Sequence, residues 1–157
     1  TMANRGHFIQ PRMARASRVP GDKGVSEFPL VSRQVEAGDA HRWDEIIRDM
    51  ALVVESGRGT AHRIQSSEYR IAGKTGTAQV FSLGKGTYKA SRIPERMRDH
   101  ALFIAFAPVE DPRIAVAVLV ENGGHGGSDA APVARRVMDM YLGGSQLIPT
   151  EGGSDAD

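Results

Sequence analysis

Lys74-Thr75-Gly76, inside the string "YRIAGKTGTAQV" at 69–80, is where residue types and spacing in this chain point most directly to chemistry. Two unrelated chemistries share these letters. Gly73-Lys74-Thr75 has the ending of a phosphate-binding loop, in which backbone amides close around a phosphate and a lysine meets its charge. Lys74-Thr75-Gly76 also matches the lysine box of enzymes that acylate a serine. The phosphate loop requires a first glycine at position 68, and that residue is Glu68, which would repel the ligand. It also requires a helix whose amino end faces the phosphate. The residues that follow, "TGTAQVF", are mostly strand formers. The phosphate loop fails on both counts.

Acyl transfer needs a strand. On a strand Lys74 and Gly76 share one face, while Thr75 and Thr77 share the other. Gly76 has no side chain, so a peptide can lie against the backbone there. At a sheet edge, free amides and carbonyls can pair with an extended peptide. A backbone amide near the strand's end can polarise a reacting carbonyl, a donor worth about 2.7–4 kcal/mol of barrier. The lysine offers a fixed positive charge to a carboxylate or to proton movement. An ordinary edge strand with a solvated lysine carries the same three letters, so the motif alone does not decide.

The elements around it set the context. In "DAHRWDEIIRDMALVVESG", Trp43, Ile46, Ile47, Met50, Ala51 and Val54 recur at helical spacing, predicting a helix capped by Asp39 and ended by Gly57. Trp43 in this stripe is read as core packing. "TMANRG" reads as a last helical turn stopped at Gly6, and 7–38 as loops with short extended pieces such as "FPLVSRQV". "GRGTAHRI" is a turn leading into the Lys74 strand. Residues 82–99 form a polar loop, long enough to suggest a mobile flap beside that strand. "ALFIAFA" and "RIAVAVLV", split by "PVEDP", predict a hairpin whose unbroken apolarity suggests strands covered on both faces. After the turn "ENGGHGGS", "DAAPVARRVMDMYL" predicts a helix capped by Ser128, with Val133, Val137 and Tyr141 along one face and Gly143-Gly144 as its stop.

The 157 residues suit one ordinary domain, and 40% apolar with 25% charged composition argues against disorder. The net charge of +1 gives no sign of a nucleic-acid partner. Arg5, Arg12, Arg15, Arg18 and Lys23 crowd the first residues, whereas Glu151, Asp155 and Asp157 make the end acidic. Without cysteine there is no disulfide, thiol nucleophile or thiolate metal site. His7, His41, His62, His100 and His125 are scattered without ligand spacing, so no metal and no cofactor is expected. His125, flanked by glycines, is read as a turn residue. No run approaches the roughly 20 apolar residues of a membrane helix.

Taken in order, "YRIAGKTGTAQV", "DHALFIAFAP" and "IAVAVLVENGGHGGSDAAPVARRVMD" resemble the carboxyl-terminal half of a penicillin-binding transpeptidase domain. More narrowly they resemble the class B enzymes of cell elongation, the penicillin-binding protein 2 group. The resemblance covers residues 1 to about 142, with 143–157 as a flexible acidic tail. It implies an α+β (α/β sandwich) fold, an antiparallel sheet flanked by helices, with the Lys74 strand bordering the active site and the last helix packed across the sheet. It further implies that Lys74 sits among the catalytic groups, that the Thr75 and Thr77 hydroxyls hold a carboxylate beside Gly76, and that the Thr77 amide is one arm of an oxyanion hole. The implied ligands are a peptidoglycan stem peptide and β-lactams. The implied partners are the rest of a parent chain and the cell-elongation machinery. The implied location is the periplasm, on an inner-membrane anchor outside this segment.

Such enzymes also need Ser-x-x-Lys and Ser-x-Asn boxes. "SLGK", Ser82 to Lys85, leaves a strand for a glycine loop rather than opening a helix, so it is read as a decoy. No Ser-x-Asn occurs. The expectation is therefore a fragment that carries the substrate strand, lacks the nucleophile and is inactive alone. A non-catalytic peptide- or partner-binding module is the alternative.

Overall fold

The strongest periodic segment builds the first helix. In the computed structural model, which describes residues 1–21, 23–36, 38–39, 41–80 and 93–143, α1 runs from His41 to Glu55. The Asp39 carboxylate accepts the His41 amide at 3.0 Å, satisfying one of the donors a helix start leaves unpaired. Trp43, Ile47, Ala51 and Val54 are buried and Ile46 and Met50 half-buried, so the stripe read from the sequence is the packed face.

The chain divides into two compact units, Thr1–Ile46 and Ile47–Asp157. In the first, β1 (His7–Ile9) pairs antiparallel with β4 (Ser32–Gln34), and β2 (Ala16–Ser17) with β3 (Ser26–Glu27). "FPLVSRQV" contributes only Ser32–Gln34 to a strand. The opening turn stops as expected, by the paired bonds Gly6 N–H to Thr1 O (3.0 Å) and Arg5 N–H to Met2 O (3.1 Å). Both Arg5 and Gly6 have positive φ, 47° and 92°. A Cβ on Gly6 would lie 2.7 Å from the Val35 carbonyl and 2.9 Å from the Trp43 ring, so glycine is required there.

The second unit holds the antiparallel sheet β5-β6-β7, made of Ala72–Ala78, His100–Ala107 and Ile114–Val120. Thr75 lies opposite Phe103, Lys74 opposite Ile104 and Thr77 opposite Ala101. β6 and β7 form the hairpin predicted from the sequence. Ala101, Phe103, Ala105 and Ala107 of β6 face a core shared with Val54, Ile64, Ile71 and Met138. Full burial of a side chain such as Phe103 or Met138 contributes about 1.5–3 kcal/mol. The other face is open: Ile104 is 49% and Leu119 55% exposed. The continuous apolar runs predicted cover on both faces, and these two residues lack it here. The architecture is α+β, an antiparallel sheet with packed helices.

The closing helix α2 (Ala131–Leu142) corrects one expectation. Ser128 does not cap it. A π-helical turn, Gly126–Ala130, precedes the helix, and the Ser128 hydroxyl is turned to the Asp129 carboxylate. Val133, Val137 and Tyr141 do share one face, and it is the exposed one, at 45%, 44% and 58%. The buried side is Ala131, Ala134 and Met138. Two alanines let the helix axis approach the alanine-rich face of β6, and bulkier residues are displaced outward.

Of the loop expected at 82–99, residues 81–92, including Ser82, lie outside the described residues. Its end is built. Glu95–Met97 form a 3-10 turn. Buried Asp99 accepts the Val80 amide at 3.2 Å and, through its carbonyl, the Gly124 amide at 2.8 Å.

Candidate active site

β5 is held at both ends. Before it, the Arg135 guanidinium of α2 donates to the carbonyls of Ile64 (2.9 Å) and Gln65 (2.8 Å) and to Asp139 (2.7 Å). Tyr69 donates its hydroxyl to the same carboxylate, with Arg135 stacked 5.6 Å from its ring centre. Burial, and then the hydrogen bond to Asp139, push the Tyr69 phenol above its ordinary range. Arg70 pairs with Glu55 (2.6 Å) at the end of α1 and with Glu110 (2.7 Å) beyond β6. Its hydrogen bond holds the Glu110 carboxyl below the usual range. These Arg70 pairs are largely exposed and fix direction more than they add stability.

The glycine turn closes over the strand. Asn122 takes φ 55° and Gly124 φ 101°, and asparagine tolerates that left-handed backbone better than most residues. The Asn122 amide donates to His100 Nδ1 (2.9 Å), and its side chain to the Arg98 carbonyl (2.9 Å). The chain then runs across β5. A Cβ on Gly126 would stand 2.7 Å from the Gly76 carbonyl oxygen, and one on Gly127 2.0 Å from that of Thr60.

Between these parts lies a cleft of about 440 Å³, lined by Thr60, Arg63, Thr75, Gly76, Thr77, His125, Gly126, Gly127 and Ser128. The Thr60 and Thr75 hydroxyls share a hydrogen bond of 2.9 Å. The structure thus brings Thr75, Gly76 and Thr77 to one cavity. Lys74 lies elsewhere: its side chain is not in the lining, and its ammonium donates to the Thr75 carbonyl at 2.7 Å. Strand alternation puts it on the face of Ile104, away from Thr75. The sequence reading missed Thr60 and Arg63, which it placed in a plain turn. It noticed His125 and Ser128 without joining them to the strand.

The surroundings dispose of the phosphate loop. Gly73-Lys74-Thr75 sits inside β5, which continues as strand to Ala78 where a phosphate loop would already have opened its helix. Among the described residues no three His, Asp or Glu side chains are grouped to hold a metal ion. No described helix is long and apolar enough to cross a membrane.

The chain thus combines an antiparallel α+β sheet, an edge strand carrying Lys74-Thr75-Gly76 and a closing helix. Residues 1–139 match the penicillin binding protein transpeptidase domain, and the chain belongs to that family. It is 42% identical over 125 residues to the peptidoglycan D,D-transpeptidase MrdA of Haemophilus influenzae, covering 78% of this chain and 19% of that protein. Pseudomonas aeruginosa PBP2, solved in complex with WCK 5153, is 37% identical and superposes with a TM-score of 0.69, over 99% of this chain and 31% of that one. The penicillin G acyl-enzyme complex of penicillin-binding protein A from M. tuberculosis is 31% identical with a TM-score of 0.63, over 90% of this chain and 29% of the other. The chain spans about a fifth of the length of the curated relatives it matches.

Proposed function

We propose that this chain supplies the substrate strand of a serine-type peptidoglycan D,D-transpeptidase. The observation that carries the reading is β5 at the sheet edge, with Thr75, Gly76 and Thr77 opening on one hydroxyl-lined cleft. In the reaction a serine hydroxyl attacks the carbonyl between the two terminal D-alanines of a stem peptide. The last D-alanine leaves, and an amine of a second stem peptide then takes the acyl group from the serine. The serine lies outside residues 1–157, and this segment alone is inactive.

The Thr75 and Thr77 hydroxyls hold the terminal carboxylate, Gly76 leaves room for the peptide backbone, and the Thr77 amide polarises the carbonyl. Lys74, whose ammonium reaches back to the Thr75 carbonyl, supplies a charge that aids proton movement at the serine. Residues 1–142 are the carboxyl-terminal part of the transpeptidase domain, and 143–157 an acidic tail. β-Lactams enter the same site as substrate mimics, a reading supported by the penicillin G adduct of the M. tuberculosis relative. The parent protein works in the periplasm from a membrane anchor, with the elongation machinery, as the penicillin-binding protein 2 group suggests.

The test is Lys74→Met in the parent chain, read by intact mass after exposure to a labelled penicillin. Folding is retained, and acylation falls by roughly two to four orders of magnitude. Lys85→Met, a loop charge on this reading, leaves acylation nearly unchanged and cancels the general effect of losing a cation. If both variants acylate like the parent, β5 is an ordinary edge strand. If the parent binds peptide and never acylates, the chain is a binding module.

A further inference from the structure

The cleft beside β5 is lined by the positive side chain of Arg63, by His125 and by hydroxyls, and among the described residues by no acidic side chain. The carboxylate closest in sequence, Asp129, is already engaged by the Ser128 hydroxyl and the His125 amide (3.2 Å). Arg63, exposed on the short turn His62–Ile64, has no ion-pair partner among the described residues. The Lys74 ammonium is engaged by the Thr75 carbonyl (2.7 Å) and does not line the cleft.

A hydroxyl pair offers a carboxylate only uncharged donors and leaves its negative charge unpaired. A guanidinium adds a charge-assisted, planar fork that matches the carboxylate's two oxygens. We propose that Arg63 is the counter-charge that selects a ligand with a free carboxylate in this cleft, a specificity-determining residue. Arg63 sits three positions after Thr60, whose hydroxyl is bonded to that of Thr75. The turn therefore sets the Arg63 backbone beside the threonines that hold the same group, with Arg63 in the cleft lining. The inference rests on the proposed acyl-transfer reading of Thr75 and Thr77 and adds what that reading lacks, a cation on their side of the strand.

The experiment compares two ligands on the parent chain, a labelled penicillin and the same penicillin with its carboxylate converted to a methyl ester. Arg63→Ala should slow acylation by the free acid roughly ten- to a hundredfold, as loss of a charge-assisted bond implies. Acylation by the ester should change less than about threefold, since the ester offers no charge to pair. Arg63→Lys should restore part of the preference, which a merely structural role would not do. Equal losses on both ligands, or no loss on either, overturn the role of Arg63. Normal acylation of the unaltered parent in that same experiment leaves the transpeptidase reading standing. A parent acylated by neither ligand overturns both.

Discussion

Gly126 rests on Gly76: a Cβ added to the first would meet the backbone carbonyl of the second at 2.7 Å and that of its strand partner Leu102 at 2.3 Å. Neither obstacle is a flexible side chain. The glycine turn and the candidate substrate strand are thus in direct backbone contact, and the width of the cleft depends on it.

Gly126→Ala should therefore destabilise the protein by about 1–3 kcal/mol, the usual cost of forcing extra volume into a packed site. Gly57→Ala is the control, because nothing lies within 4 Å of its added methyl. Urea unfolding compares the two. An equal, small effect at both positions would show that the turn does not bear on β5.

Arg135 joins α2 to the segment that feeds β5, through the Ile64 and Gln65 carbonyls and through Asp139. Arg135→Ala leaves those acceptors with poorer partners and removes the stack on Tyr69. A loss of about 2–4 kcal/mol follows, since several charge-assisted bonds go together. Arg135→Lys should recover little, because an ammonium cannot span three acceptors held by a planar fork. Full recovery by lysine, measured in the same unfolding experiment, would count against this.

Tyr69 gives the network a pH signature. Its phenol is held protonated in the fold, by burial first and then by Asp139. A raised folded value means that this stabilisation is fully present below the unfolded phenol's pKa, about 10, and is lost as pH rises through the folded value. The stability gap between the protein and Tyr69→Phe should thus be largest near neutral pH and shrink above about pH 10. Denaturant midpoints across that range measure it, and a constant gap would place Tyr69 outside the network.

Much of this fold was legible from local pattern. The α1 stripe from Trp43 to Val54 repeats over three turns, and the β6–β7 hairpin has long β-rich runs around a proline-bounded turn. Each signal is contained within its own segment. The cleft is different. Arg63 and Thr60 reach β5 because the chain folds back there, and Ser128 reaches it because Gly126 and Gly127 allow backbone contact. Nothing local to "TAHR" or "HGGS" announces that meeting. Lys74 was correctly placed on the face opposite Thr75, yet alternation alone could not show which face opens on a cavity.

The choice of which face of α2 is packed has a physical reason that can be tested. Val133, Val137 and Tyr141 share one face as their spacing predicts, and the helix buries the other, Ala131, Ala134 and Met138. Small residues win that side because close approach to Ala101, Ala105 and Ala107 of β6 gains contacts along the whole helix. Ala134→Leu should therefore cost about 1–3 kcal/mol through overpacking. Val137→Ala, on the exposed side, should change stability by no more than about 0.5 kcal/mol. Thermal unfolding of the two variants decides between the faces. If Val137→Ala is the more damaging, the Val133–Val137–Tyr141 stripe is the packed one and the register of α2 on the sheet is wrong.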